Sequence, residues 1–341
     1  MFRVLLDRLF SQVTATRPRR AGWVRPLLLA CAAAHGAGAM AQDYPTRPIQ
    51  LVIPFPPGGA TDVIGRLLGK KMGEQLGQTV VIDNRAGAGT IIGASFVAKA
   101  PADGYTLLIS SGTTFTVNPA IQPKLPYDPV KSFEPLGTAA RSGLILLANR
   151  EVPAASMKQV VALVQGAPGK YSYGSFGTGT TSHFAGELIL RATGLKMTHV
   201  PYKGSSPAMM DLIGGQIPFT VDTVSAAVPQ LAGGKVKAIA VTTAKRSVLL
   251  PAVPTMAESG YPEIDMDTWI AIVAPRGLPP AVKARLEKTL AATVADADTR
   301  TKMIASGFEP AYASAAQTAT QIGQELPRMR AIAQRANIQA D

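Results

Sequence analysis

The stretch PFPPGGATD, residues 54–62, decides how the fold begins. It follows the apolar run IQLVI at residues 49–53 and precedes a segment, residues 63–76, whose apolar side chains recur at helical spacing. Such a turn between a strand and a helix is typical of an anion site, because the first turn of a helix has unpaired N–H groups and a partial positive charge. A tight connection without a ligand fits the same letters, so the interpretation needs a second observation.

A second turn of this kind lies at residues 173–187, YGSFGTGTTSHFAGE. It is again a strand that ends in glycines and opens a helix, and Thr178, Thr180 and Ser182 add hydroxyl groups. Ligands of open α/β sheets bind at the carboxyl ends of strands, where both turns are expected to fall. The two turns therefore predict two half-sites that face each other across one cleft.

The rest of the chain predicts an α/β protein with a large core. It has 341 residues, of which 47 % are hydrophobic and 16 % charged, which favours a globular protein of two lobes. Strand-like and helix-like segments alternate from residue 47 onward and predict a βαβαβ start with a parallel sheet. The proline-rich residues 118–136 are expected to run as an extended surface connection, and residues 280–336 as amphipathic helices.

The N-terminal residues 1–41 predict a signal peptide. Six arginines precede a short apolar stretch that ends in Ala39-Met40-Ala41, and cleavage is expected after Ala41. The apolar run is about half of the ~20 residues that a membrane-spanning helix needs. A lipidated Cys31 and a twin-arginine route through Arg19-Arg20 are the less favoured alternatives.

Removal of this segment changes the charge and the cysteine content. Lys plus Arg falls from 34 to 28 and Asp plus Glu from 22 to 21, so the net charge falls from +12 to +7. The remaining basic residues are scattered, which disfavours nucleic acid as a partner. The only cysteine, Cys31, leaves with the signal, which suits an oxidising compartment. Without cysteines and with only two histidines, the mature chain predicts no metal site.

Several stretches together resemble the extracytoplasmic solute receptors of tripartite tricarboxylate transporters, often called Bug proteins. They are YPTRPIQLVIPFPPGGATD, RAGAG, ADGYTLL, YGSFGTGTTSHFAGE, VPYKG and VPTMAESGYP, and the resemblance extends from Tyr44 to the C-terminus. It implies a type II periplasmic-binding-protein fold, in which two α/β lobes close on a small carboxylate that a membrane permease then takes up. We expect residues 42–143 and 251–341 to form lobe 1 and residues 144–250 to form lobe 2. We also expect a periplasmic monomer without catalysis and without a cofactor.

The resemblance also implies which residues bind the ligand. Backbone N–H groups of the two turns are expected to hold its carboxylate, which is a mono-, di- or tricarboxylate. The matching positions are Gly58, Gly59, Ala60, Thr61 and Asp62 in the first turn, Gly177, Thr178, Gly179, Thr180, Ser182 and His183 in the second, and Asp222 near the cleft. The sequence departs from the family at Thr90, where a glycine is usual, and this is expected to alter the local turn without removing the site.

Some of these residues have more than one interpretation. Phe55 fits either a wall of the cleft or the core beneath the turn. Asp62 is favoured to accept hydrogen bonds from turn N–H groups rather than to contact the ligand, since two carboxylates repel each other. Asp222 fits a partner for a ligand amine or hydroxyl, an acceptor for a bridging water, or a group that fixes its own loop. His183, in the first turn of a helix, is favoured as a neutral hydrogen-bonding or packing residue.

An enzyme is the alternative from another class. Residues 87–93, GAGTIIG, imitate a dinucleotide-binding turn but lack the acidic residue expected about 20 positions later. Ser206 in GSSPA imitates the nucleophile of a secreted α/β hydrolase. Because Pro207 follows it, Ser206 is favoured as a helix N-cap instead.

Overall fold

The first helices and strands form a parallel βαβαβ unit. The computed structural model describes residues 44–339, and the predicted signal peptide lies outside them. The unit consists of β1 (Ile49–Ile53), α1 (Ala60–Leu76), β2 (Val80–Asn84), α2 (Ile91–Ala98) and β3 (Thr106–Ser111). Strand β1 pairs in parallel with both β2 and β3, so the predicted start of the fold is confirmed.

The proline-rich segment departs from the sequence prediction at both of its ends. Residues Asn118–Ile121 form the short helix α3, which follows a turn of π-helix, and the strand β4 (Phe133–Asn149) includes the last residues of the segment. Pro119 is tolerated in the first turn of α3, because its missing N–H would have no partner in the helix there. Phe133 and Leu136 are buried, which draws this part of the segment into the sheet. The prediction of a fully extended connection was wrong.

The middle of the chain continues the alternation of strands and helices that the sequence predicts. Its elements are α4 (Met157–Gln165), β5 (Ser172–Ser175), α5 (Thr181–Thr193), β6 (Thr198–Pro201), α6 (Ser205–Ile213), β7 (Phe219–Thr223), α7 (Val224–Ala232) and β8 (Val236–Val241). Strands β5, β6 and β7 pair in parallel. Helices α5, α6 and α7 therefore all begin at the carboxyl end of a strand or shortly after it, which brings their N-termini to the same edge of the sheet.

The C-terminal part is less purely helical than the sequence predicts. It consists of β9 (Asp267–Pro275), α8 (Pro280–Ala295), α9 (Ala297–Ala305), β10 (Glu309–Ser314) and α10 (Ala315–Ala336). Strand β10 interrupts the predicted helices and pairs antiparallel with β4. Its residues show no clean alternation of buried and exposed side chains, so pairing with a distant strand, and not local periodicity, specifies it.

Strand β4 connects the two halves of the molecule. The strand order is β2-β1-β3-β9-β4-β7-β5-β6, and β8 and β10 also pair with β4. Up to Gly143, β4 pairs with β9 and β10, and from Leu144 it pairs with β7 and β8. The result is a mixed two-lobed α/β fold, in which the lobe boundaries given above stay a prediction. No helix within residues 44–339 is long and apolar enough to cross a membrane.

Candidate functional site

Asp62 holds the first glycine-rich turn in shape. Its carboxylate accepts hydrogen bonds from the Gly58 backbone N–H, from Arg66 Nε and from Asn84 Nδ2, each at 2.9 Å. Burial alone would raise the pKa of Asp62, but these hydrogen bonds outweigh burial and hold the pKa below its ordinary value. The interpretation that Asp62 accepts from the turn is confirmed.

Helix α1 begins at this turn without a side-chain cap. Gly59 is its N-cap residue and has extended backbone angles. The first N–H groups of the helix therefore have no partner inside the helix, and the positive end of its dipole is uncovered. Gly59, Ala60 and Thr61 line a cavity, and this helix end is exposed to it.

The walls of this cavity combine aromatic and aliphatic groups with polar side chains. Phe55 and Phe176 meet edge to face, with 6.2 Å between their ring centroids. Phe55 is only 9 % exposed, so it both lines the cavity and packs in the core, which joins the two interpretations of this residue. The full lining is Phe55, Pro56, Gly59, Ala60, Thr61, Ser111, Phe176, Ser205, Ser206, Asp222, Thr223, Thr268, Ile270 and Phe308.

Asp222 is the carboxylate that lines this cavity. It is fully buried, its Oδ2 accepts from Ser205 Oγ at 2.7 Å, and its Oδ1 accepts from the Thr223 backbone N–H at 2.7 Å. Burial raises the pKa of Asp222 to about 6, although both hydrogen bonds act in the opposite direction. Thr223 then caps α7 by accepting from the Ala226 N–H. Asp222 is thus held rigidly by groups on two helix starts.

The helix that supplies Ser205 begins earlier than the sequence predicts. The N-cap of α6 is Gly204, again without a side-chain hydrogen bond, so the prediction that Ser206 caps this helix was wrong. Gly204 has a φ of +146°, and a Cβ on it would lie 2.8 Å from Cδ of Pro56. Only glycine fits there, because the two glycine-containing turns pack directly on each other. Ser205 was not among the predicted site residues, and its only signal in the sequence is its place in the same GSSPA stretch.

The second glycine-rich turn is held mainly by hydrogen bonds within its own segment. Thr180 caps α5 by accepting from the His183 N–H, and its own hydroxyl donates to the Gly177 carbonyl at 2.6 Å. The Gly179 N–H donates to Nδ1 of His183 at 3.3 Å. Ser182 Oγ donates to the Val221 carbonyl at 2.5 Å.

His183 of this turn packs against His199, which lies on the neighbouring strand β6. The rings of His183 and His199 stack with centroids 4.2 Å apart, and Nε2 of His199 lies 2.7 Å from Ser175 Oγ. Burial and the neighbouring His183 lower the pKa of His199 to about 3. His199 is therefore neutral in the folded protein at neutral pH, which agrees with a structural role.

Seven of the thirteen predicted site residues line one of two cavities. Phe55, Gly59, Ala60, Thr61 and Asp222 line the first cavity. Gly177 and Thr178 line a second cavity, which Phe55, the loop of residues 87–91 and Lys203 also border. Gly58, Asp62, Gly179, Thr180, Ser182 and His183 line neither of these two cavities. Their part in ligand binding, like that of the whole predicted set, stays a prediction.

The loop that imitates a dinucleotide-binding turn has an unusual backbone. Ala88 and Thr90 have positive φ angles of 46° and 87°, which are rare for residues other than glycine. The hydroxyl of Thr90 accepts from Thr114 Oγ1 at 2.8 Å, so the residue that departs from the family pattern is fixed by a buried hydrogen bond. Among residues 44–339, no group of three or more His, Cys, Asp or Glu side chains is arranged to hold a metal ion.

Comparison with known proteins identifies the family. The model of the tripartite tricarboxylate transporter family receptor matches residues 64–338. Protein BugT of Bordetella pertussis is 36 % identical over 293 residues, which cover 86 % of this chain and 90 % of BugT. The structure of R. palustris Rpa4515 with adipate is 36 % identical, with a TM-score of 0.84, over 87 % of this chain and 99 % of that one. MatC (Rpa3494) from Rhodopseudomonas palustris, solved with bound malate, is 31 % identical, with a TM-score of 0.80, over 85 % and 99 % of the two chains. This chain therefore belongs to the receptor family of the tripartite tricarboxylate transporters.

Proposed function

We propose that this protein is an exported solute receptor that holds a small carboxylate in the first cavity, next to the start of α1, and delivers it unchanged to a membrane permease. The observation that carries the proposal is the meeting of two helix starts without side-chain caps, those of α1 and α6, at the wall of this cavity. A Cβ placed on Gly59 would lie 4.0 Å from Cβ of Ser205, so the two helix ends are in contact. Their N–H groups and dipoles favour an anion.

The family relationship supports a carboxylate as this anion. Two solved relatives, with 36 % and 31 % identity, contain adipate and malate, and both of these ligands are small carboxylates. Each charge-assisted hydrogen bond from an N–H group to a carboxylate contributes about 1.5–3 kcal/mol. The second turn and its cavity, lined by Gly177 and Thr178, would then complete the site when the lobes close.

The proposal also includes the compartment, the oligomeric state and the membrane partner of the receptor. The predicted signal peptide directs the chain to the periplasm, where it acts as a monomer without a cofactor and without catalysis. The partner is a permease of the tripartite tricarboxylate class. The intact mass of protein isolated from the periplasm tests export, with cleavage expected between Ala41 and Gln42.

Thermal unfolding with paired ligands tests the anion site. Each acid, adipate and malate among them, is compared with its methyl ester at matched concentration in a buffer low in phosphate and sulfate. A ligand at about 100 times its Kd adds roughly 2.7 kcal/mol to the free energy of unfolding. The expected shift in Tm is several degrees, at about 2–4 °C per kcal/mol. Equal shifts for acid and ester would contradict the proposed mechanism, and turnover of an ester or of a nicotinamide cofactor would favour an enzyme.

A further inference from the structure

Within residues 44–339, the first cavity offers no cation to a second anionic group. None of the described residues that line it is Lys, Arg or His, and its walls include the aromatic rings of Phe55, Phe176 and Phe308. A second ligand carboxylate placed among these rings would lose its hydration without meeting a cation. The rings instead suit an apolar ligand body, with which they share buried surface.

Asp222 gives this apolar cavity one negative charge. The carboxylate is fully buried, and it forms no ion pair with any residue among those the structure describes. Its two oxygens accept three hydrogen bonds, from Ser205 Oγ, the Thr223 N–H and Thr223 Oγ1, but a carboxylate has about four acceptor sites. A buried carboxylate without a cation is costly, and a positively charged donor on the ligand would offset that cost.

The position of Asp222 fixes where such a donor would have to sit. Its Oδ2 lies 2.7 Å from Ser205 Oγ, and Ser205 is in contact range of Gly59 at the start of α1. A ligand carboxylate bound at the start of α1 is therefore only a few ångströms from Asp222. A donor on the carbon next to that carboxylate would reach Asp222, and the remaining substituent would point among the phenylalanine rings.

We propose that the preferred ligand is an α-amino acid with an apolar side chain, whose ammonium group is bound by Asp222 and whose carboxylate is bound at the start of α1. This inference rests on the proposed function, because it assigns a ligand class to the same cavity. Asp222 is then a residue that determines specificity. It attracts a ligand ammonium group and repels the second carboxylate of a dicarboxylate.

Calorimetry on the wild-type protein and on Asp222→Asn tests the assignment. The ligand pairs are L-leucine with 4-methylpentanoate and L-phenylalanine with 3-phenylpropanoate, which differ only in the ammonium group. We expect the wild-type protein to bind at least one amino acid ten times more tightly, or better, than its partner without the amino group. In Asp222→Asn, the tenfold preference for the amino acid should be lost. The acid without the amino group should bind at least as tightly as it binds to the wild-type protein.

Controls separate the ammonium group from charge in general. Asp298→Asn removes an exposed aspartate of α9 that pairs with Lys302, and it should leave the preference unchanged. The 2-hydroxy analogue of leucine should bind more weakly than leucine, since it lacks the positive charge. If the hydroxy acid binds equally well, the ammonium assignment is overturned. The wild-type comparison decides the question even if Asp222→Asn does not fold.

Two further results distinguish the inference from the proposed function. If adipate, malate or the acids without an amino group bind as tightly as the amino acids or more tightly, the inference fails while the carboxylate receptor stands. If no carboxylate in the whole panel binds, the proposed function fails together with the inference.

Discussion

The two glycine-rich turns have similar sequences, but their N–H groups face different surroundings. The first turn leads into α1, whose N-cap Gly59 has no side-chain hydrogen bond and borders a cavity. The second leads into α5, whose N-cap Thr180 is a side-chain cap, and the next N–H group, that of Thr181, donates to Thr113 Oγ1 at 3.1 Å. A strand, a glycine-rich turn and a helix therefore do not by themselves specify an open anion site. The residue at the N-cap makes the difference, because a capping hydroxyl satisfies an N–H group that would otherwise face the ligand.

The largest expected effect on stability comes from Gly179→Val in the second turn. This glycine has a φ of +76°, and a Cβ on it would lie 2.6 Å from Oδ1 of the buried Asn118. A β-branched residue combines backbone strain with overpacking, so Gly179→Val should lower the free energy of unfolding by about 3–5 kcal/mol. Chemical denaturation checks this value. A variant of near-normal stability would show that the second turn is looser than its contacts indicate.

The next largest expected effect is a pH dependence of stability caused by Asp222, which lines the cavity beside the first turn. Its folded pKa is about 6, raised mainly by burial from an ordinary 3.8. The folded protein holds this proton more tightly than the unfolded chain, so the free energy of unfolding falls as pH rises from about 4 to about 6 and the loss persists above that. The loss is about 3 kcal/mol, at 1.36 kcal/mol per pKa unit. Chemical denaturation of ligand-free Asp222→Asn at several pH values should not show this fall in the free energy of unfolding. The same pH dependence in the variant and in the wild-type protein would contradict the prediction.

His199, beneath the second turn, should behave in the opposite way. Its folded pKa is lowered to about 3, so the unfolded chain binds the proton more readily. The stability that neutral His199 contributes is present above its ordinary pKa of 6.5 and is lost as pH falls toward 3. The variant His199→Gln should therefore differ from the wild-type protein mainly on the acid side. This makes it the matched control for Asp222→Asn.

Valine at Gly59 should affect binding and not stability. Gly59 has φ −80° and ψ 170°, which valine adopts without strain, and a Cβ there meets only contacts of 3.7 Å and 4.0 Å. Its methyl groups would stand in front of the first N–H groups of α1. We expect a loss of about a hundredfold in affinity for the carboxylate, or about 2.7 kcal/mol, with a change in unfolding free energy below about 1 kcal/mol. Calorimetry that shows an affinity within threefold of the wild-type value would remove α1 from the site.

The sequence predicted those parts of the site that depend on local patterns. Asp62 lies four residues after Gly58, in the first turn of a predicted helix, so its hydrogen bond to the turn followed from spacing alone. The parallel start of the fold followed from the alternation of apolar runs. The expectation that Asp222 lies near the cleft came from the family resemblance, and its part in ligand binding stays a prediction.

The parts that the sequence did not predict depend on contacts between distant segments. Phe308 reaches the cavity through the connection between α9 and β10, and β10 exists because it pairs with β4. Ser205 faces Asp222 only because α6 starts one residue before the predicted cap, where Gly204 packs on Pro56. No local periodicity encodes either contact. The part of the difference between the two turns that depends on Thr113 was hidden for the same reason, since Thr113 is far from the second turn in sequence.

The smallest expected effect comes from Thr113→Val, which removes a hydroxyl from the second turn at nearly constant shape. Thr113 is fully buried, and its Oγ1 accepts from the Thr181 N–H at 3.1 Å and donates to Thr181 Oγ1 at 3.3 Å. The variant leaves that buried N–H without an acceptor, so the free energy of unfolding should fall by about 1–2 kcal/mol. If the second turn serves mainly as a scaffold, affinity for the carboxylate should stay within about twofold, at 1.4 kcal/mol per tenfold. Denaturation and calorimetry on the same preparation separate the two effects. A large loss of affinity at unchanged stability would instead show that the start of α5 contacts the ligand as directly as the start of α1.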